Sequence, residues 1–300
     1  MKIANVSLVK NVAGVAAKCG VLLSLLPGVA APTLFQAQAQ KFTLKHVNPP
    51  QATYSYVFGL NNKGQMVGSW ESTGQLQGFI FDGSHYKTIT APKSTVTEAL
   101  GINDSGTVVG DFFGNDQVTH GFVLAHGKFK QYDAGSGVFT WITGVNNAGS
   151  FVGYAGWDGA NQGLVNIGGK TTLFTVNGNP TIAYGINNKN VVVGFFVDPD
   201  LIHSHGFMRT PDGKITQIDD PLGTAVTICV GINDEGAITG SYIDSSNVSH
   251  GYKLKNGKFR TYPLPDINGI NDKGVFVGST TSRTGKTQGY IATPAAASAN

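Results

Sequence analysis

Hydrophobic and polar residues alternate along this chain in short runs broken by Gly, Asn, Asp and Ser, a period of two that predicts strands, not amphipathic helices. One stretch displays the unit: Thr95–Ile102, Thr107–Phe112, His120–Leu124 and Phe129–Tyr132 each alternate and carry β-branched or aromatic residues. Four short strands are expected there. A ten-residue phrase then recurs six times: GLNNKGQMVG from Gly59, GINDSGTVVG from Gly101, GVNNAGSFVG from Gly144, GINNKNVVVG from Gly185, GINDEGAITG from Gly231 and GINDKGVFVG from Gly269. The starts lie 42, 43, 41, 46 and 38 residues apart, and a period of that size marks an array of one supersecondary unit. Four antiparallel strands in each of six repeats predict an all-β fold, a six-bladed β-propeller of four-stranded antiparallel blades.

The centre of the phrase, Asn-Asn/Asp-x-Gly, reads as the turn between the first two strands of a blade. Asn suits the first position of a type I turn, and Gly supplies the positive φ that follows. The fourth copy has Asn190 in place of that glycine, and Asn is the residue that best tolerates the left-handed conformation after glycine. The sixth copy has no fourth strand after Gly289–Ala292, whereas Phe42–Val47 is a strand without a blade of its own. Pairing the two is expected to close the ring and remove its open edges. Residues 40–292 are read as one propeller domain and 293–300 as a flexible tail.

Lys2, Lys10 and Lys18 precede an apolar run, Val21–Ala31, which ends near the small-residue site Ala37-Gln38-Ala39. That order predicts a secretory signal over residues 1–39, an exported protein in periplasm or medium, and no membrane insertion. Three of the 21 basic residues lie in this leader, leaving 18 against 18 acidic ones. A neutral mature chain argues against nucleic acid as a partner. Only Cys229 remains after the leader, so no intrachain disulfide is expected, and its apolar neighbours predict a buried, inert thiol. Glycine accounts for 41 of 300 residues while charged residues are 13% against a usual ~25%. Many tight turns between short strands produce that balance. A monomer is expected.

The pattern G-I-N-N-x-G-x-V-V-G, followed by H-G-F and then G-x-F-x-x-Y/I-D, resembles the HAF family of extracellular repeats in bacterial exported proteins. The resemblance covers essentially all of Phe42–Ala292, with Gln77, Gln162 and Gln288 standing where the pattern has histidine. It implies export and a repeat-built β fold, and it carries no catalytic residues.

Several motifs belong to the scaffold on this reading. His120, His205 and His250 occur once per blade and alternate with glutamine, so each is expected to bond backbone within its own blade. The Asn-Asn/Asp pairs are expected to cap turns. Asp198, Asp200, His203 and His205 form the one local cluster with ligand-like spacing, but His205 is a scaffold position and Pro199 marks an ordinary turn. No metal and no cofactor are therefore assigned, with Asp198, Asp200 and His203 the weak candidate. Thr284-Gly285-Lys286-Thr287 lacks the leading glycine of a phosphate loop. There is no G-x-S-x-G elbow and no H-E-x-x-H.

Functional candidates are sought where the repeats disagree. Three residues before each leading Gly the copies read Tyr56, Glu98, Trp141, Ile182, Ile228 and Asp266. The polar and aromatic members fall in blades 6, 1, 2 and 3, whose loops also carry Trp70, Glu71, Asp111, Trp157, Asp158 and Arg283. Propeller geometry puts these loops at one channel mouth with Asp116, Asp198, Asp200 and Asp244, and puts Lys63, Lys128, Lys170, Lys214, Lys258 and Lys273 on the opposite face. Aromatic faces beside carboxylates suit a sugar. A binding module for a glycan or other small polar ligand is the leading expectation, with Tyr56, Trp70, Glu71, Glu98, Asp111, Trp141, Trp157, Asp158, Asp266 and Arg283 as its site. A polysaccharide-cleaving enzyme is the alternative, either a glycosidase using Glu98 with Asp266 or Glu71 with Asp158, or a lyase in which Arg283 neutralises a uronate. The third class is a protein-interaction scaffold of the cell envelope.

Overall fold

The computed structural model describes residues 42–295 except 73, 158 and 159. The expected leader, Asp158 and residues 296–300 of the expected tail lie outside the described residues. The described residues form six four-stranded antiparallel sheets and no helix. Their first strands are Tyr54–Leu60, Thr97–Ile102, Phe139–Val145, Thr181–Ile186, Thr227–Ile232 and Gly269–Ile270. The fold is thus the six-bladed β-propeller that the period predicts. In blade 2 the strands run Thr97–Ile102, Val108–Phe113, Thr119–Ala125 and Lys128–Tyr132, within two residues of the expected limits.

Phe42–Val47 is the outer strand of blade 6, pairing antiparallel with Thr287–Pro294 from Phe42 opposite Pro294 to Val47 opposite Gly289. The strand therefore continues two residues past Ala292, where the sequence placed the domain boundary. Closure is sealed sideways by Ser55, which donates to the Val47 carbonyl and accepts from Gly289 N–H. Phe42 packs edge-on against Tyr262 at 5.4 Å.

The core lies between blades. Val67 and Ile89 of blade 1, for example, pack with Ala99, Ile102, Val108, Phe112 and Phe122 of blade 2. Both outer glycines of the phrase answer to this packing. A Cβ on Gly101 would meet the Thr143 carbonyl of the next inner strand at 2.9 Å, and one on Gly110 would meet the Glu98 carbonyl at 1.9 Å. The latter carbonyl lies beside the register shift between Ala99 and Gly101, a bulge repeated in blades 1 to 5. Gly64, Gly106, Gly149, Gly236 and Gly274 have positive φ in the turns, and Asn190 takes the same conformation at 57°.

The Asn-Asn/Asp pairs do more than cap turns. Oδ1 of Asn103 accepts from the N–H groups of Ser105 and Thr107 within its own turn. Its Nδ2 meanwhile donates to the Asn146 carbonyl of the next blade. The same donation links Asn61, Asn103, Asn146, Asn187, Asn233 and Asn271 in order and returns from Asn271 to Asn61, at 2.9–3.3 Å. A second closed ring runs beside it: the backbone N–H of Asn62, Asp104, Asn147, Asn188, Asp234 and Asp272 each donates to the Oδ1 of the next, at 2.7–2.9 Å. These residues line the channel mouth at that end.

The histidines bond carboxylates of their own blade, not the backbone that the sequence suggested. His120 joins Asp133 at 2.7 Å to Asp116 at 3.1 Å, and His205 joins Asp219 at 2.8 Å to Asp198 at 3.3 Å. His250 bonds Asp244 at 2.8 Å. Each latch ties the loop after the second strand to its blade, so Asp116, Asp198 and Asp244 are occupied by scaffold bonds.

Candidate functional site

A belt of cross-strand pairs surrounds the channel toward the other mouth. The residue three before each leading glycine stands opposite the residue that follows the last glycine of the phrase: Tyr56 with Ser69, Glu98 with Asp111, Trp141 with Tyr154, Ile182 with Phe195 and Ile228 with Ser241. The same spacing relates Asp266 to Ser279 in blade 6. Opposed residues of an antiparallel pair present their side chains on one face. The second-strand members are all buried, while Tyr56, Glu98, Trp141, Ile228 and Asp266 keep partial exposure.

This belt has two unlike halves. In blades 3, 4 and 5 it is aromatic and aliphatic apart from Ser241: Trp141 stacks on Tyr154 with centroids 4.6 Å apart, and both pack in one cluster with Ile182, Phe195, Tyr184 and Ile228. In blades 6, 1 and 2 it is polar. Ser69 donates to Glu98 Oε1 at 3.2 Å, across the blade boundary. Tyr56, stacked parallel on Phe58 at 6.0 Å, lies within electrostatic reach of both Glu98 and Asp266. The Tyr54 hydroxyl bonds Glu71, and Tyr290 donates to the Asp266 carbonyl.

Burial controls the charge of the polar half. It raises the Glu98 carboxyl above the ordinary range against the pull of the Ser69 bond, and it raises Asp111 strongly, with the Glu98 charge adding to the effect. Asp266 is pushed up by burial to about 7. Asp111 is 4% exposed, and its Oδ1 has no hydrogen-bond partner; Ser279 Oγ, equally enclosed, has none either. Buried polar atoms in that condition are uncommon in folded proteins.

Other predicted site residues are placed apart from this group. Trp70 packs into the interblade core with Val57, Phe79 and Val277, and its Nε1 is buried there without a partner. Trp157 is 51% exposed at the mouth beside Phe139, 4.7 Å between centroids. Arg283 is exposed in the turn closed by Ser282 and Lys286. The mouth loops of blades 4 and 5 expose Leu201, Ile202, Leu222 and Val248. Asp200 bonds His203 and caps its own loop, and no group of three or more His, Cys, Asp or Glu among the described residues is arranged to hold a metal. Cys229 is fully buried against the Tyr252 hydroxyl, its thiol pushed up to about 12 by burial.

Sequence reasoning missed Ser69, Tyr154, Phe195, Ser241 and Ser279, the second-strand half of the belt. A weaker signal was present: the position after the final glycine of the phrase also varies among copies, although three of the six have serine.

A closed six-bladed propeller with one asymmetric belt defines the class of architecture. No family model matches the chain, and no curated protein matches it. Among solved structures it is similar to AofleA from Arthrobotrys oligospora, with a TM-score of 0.50 and 11% identity over 84% of this chain and 82% of that one. It is also similar to the fucose-specific lectin from Aleuria aurantia, at 0.49 and 12% over 84% of this chain and 100% of that one. Virginiamycin B lyase from Staphylococcus aureus aligns at 0.47 and 14%, over 84% and 99%. At such identities the likeness concerns the fold alone.

Proposed function

We propose that this protein is an exported propeller of the HAF type, monomeric, that binds a glycan or similar small polar ligand at the polar half of the belt, in blades 6, 1 and 2. The observation that carries this reading is the slot repeated six times yet filled with Glu98 and Asp111, Asp266 and Ser279, and Tyr56 and Ser69 on one side only. Scaffold positions repeat, as the asparagine rings do. Positions that diverge within a rigid scaffold and leave buried polar atoms unpaired are where a ligand's hydroxyls find partners. Trp157 beside Phe139 offers an exposed aromatic face at the same mouth. The test is a polysaccharide array read for retention, with Glu98→Gln and Trp157→Ala as variants. Retention by the parent that both variants weaken supports the reading, and unchanged retention by both removes it.

A second reading, cleavage of a glycosidic bond, draws on Asp266, whose carboxyl still holds its proton near neutrality as a general acid must. The same array scored for released reducing ends separates turnover from binding. Export itself is checked by the amino terminus of protein recovered from periplasm or medium, which should begin at Gln40.

A further inference from the structure

The polar half of the belt holds three carboxyl groups and no counter-charge. Glu98 and Asp111 stand directly opposite each other on neighbouring strands, and Glu98 and Asp266 both act on Tyr56. None of the three enters any of the ion pairs among the described residues. Glu98 is bonded by Ser69 and acts on Asp111, Tyr54 and Tyr56, while Asp266 acts on Tyr56 and Tyr290. Glu71 bears on the cluster only through Tyr54. Buried acids are normally paired with a cation, and among the described residues no Lys or Arg pairs with these three.

Aromatic residues flank Glu98 on the neighbouring blades. Going around the ring, Glu98 stands between Tyr56, stacked on Phe58, and Trp141, stacked on Tyr154. Carboxylates beside aromatic side chains are surroundings that suit an organic cation, through charge first and through the rings second. Asp111 Oδ1, buried and unpartnered, is an acceptor awaiting a donor, and an ammonium group brings three donors and the missing positive charge together. Resting on the glycan-binding reading above, we infer that the belt selects a glycan bearing a free primary amine, a de-N-acetylated amino sugar, over its neutral or acetylated counterparts.

Linkage then sets a direction with pH. Burial keeps these acids protonated to higher pH than usual, and an ammonium favours their ionised forms. As long as the amine is itself protonated in solution, binding therefore releases protons and strengthens as pH rises toward the value near 7 at which Asp266 ionises. The experiment is titration calorimetry of the intact protein with the glucosamine trimer, the N-acetylglucosamine trimer and maltotriose, at about pH 4.5 and about pH 6.5, where the amine is largely protonated, in buffers of differing ionisation heat. The amine trimer is expected to bind at least about tenfold more tightly than the acetylated one at the higher pH, with a smaller ratio at the lower pH and net proton release. Glu98→Gln, or Asp111→Asn if the first fails to fold, should reduce the preference by about the same factor. Equal binding of the acetylated trimer or maltotriose overturns the selectivity and leaves the glycan reading intact. Failure of the amine trimer to bind, while another polysaccharide is retained on the array, also overturns it; no retention of any kind removes both.

Discussion

The two ends of this channel are built on opposite principles. At one end, six asparagines and their six neighbours form two closed rings of hydrogen bonds, the same in every blade although the sequence alternates Asn and Asp at the second position. Toward the other end no two blades place the same pair on the belt, and Asp111 and Ser279 leave buried atoms unpaired. The first end shows what the repeat requires to stand. The second shows where the repeat has been released from that requirement, and only there do carboxyls accumulate with raised proton affinity. Natural domains concentrate such local inconsistency at sites of function.

The comparison predicts opposite signs for substitutions at the two ends, and the ring itself is the first thing to break. Deleting Phe42–Val47 removes six paired residues and the buried Val47 from the closing blade, and should cost more than about 4 kcal/mol in denaturant unfolding. An unchanged melting temperature would sink the closure. Asn103→Ala removes three bonds within its turn and one to the next blade, and should cost about 2–3 kcal/mol, the ordinary effect of orphaning buried groups.

Asp266→Asn should act in the other direction. Its folded carboxyl ionises near 7, raised from 3.8 by burial, so the folded state holds a proton that the unfolded state has lost across that window. Stability due to this group therefore falls as pH rises from about 4 to about 7. The asparagine variant should exceed the parent by on the order of 1–3 kcal/mol at pH 8 and match it at pH 4, as read from melting curves at both values. A variant less stable than the parent at pH 8 would place Asp266 with the scaffold.

The smallest effect concerns the latches. Burial works against a charged His120, but its bonds to Asp133 and Asp116 prevail and raise it above its ordinary value. The latch therefore stabilises fully below the unfolded value of about 6.5 and weakens as pH rises through the folded one. Substituting His120→Gln, the residue found in blades 1, 3 and 6, should cost at most about 1 kcal/mol at pH 6 and less at pH 8. A cost that grows with pH would contradict the carboxylate pairing.

The blade count, the turn type, Asn190 in the left-handed region and the closing strand Phe42–Val47 were all legible in the chain, because each follows from alternation, period or the conformational range of one residue. The partners of His120 and Asn103 were not: a histidine followed by glycine names no acceptor, and the bond from Asn103 reaches a residue 43 positions away. The first-strand half of the belt, Tyr56, Glu98, Trp141 and Asp266, was found as an irregularity in the repeat, whereas Ser69 and Tyr154 emerged only with the register. Trp70 illustrates the limit most plainly. Its place at a loop suggested the mouth, and the pleat turned its ring into the core between blades.

Sequence alone thus determined the number of blades, the hinge residues of each turn and the closure, since these depend on interactions within a few residues or on a repeating period. Tertiary structure alone decided that Glu98 and Asp111 face each other without a counter-charge among the described residues, that Asp266 is largely buried on the same belt, and that the asparagines join into rings. Those outcomes depend on which faces of separate blades meet, and burial then fixes the proton affinity of whatever meets there.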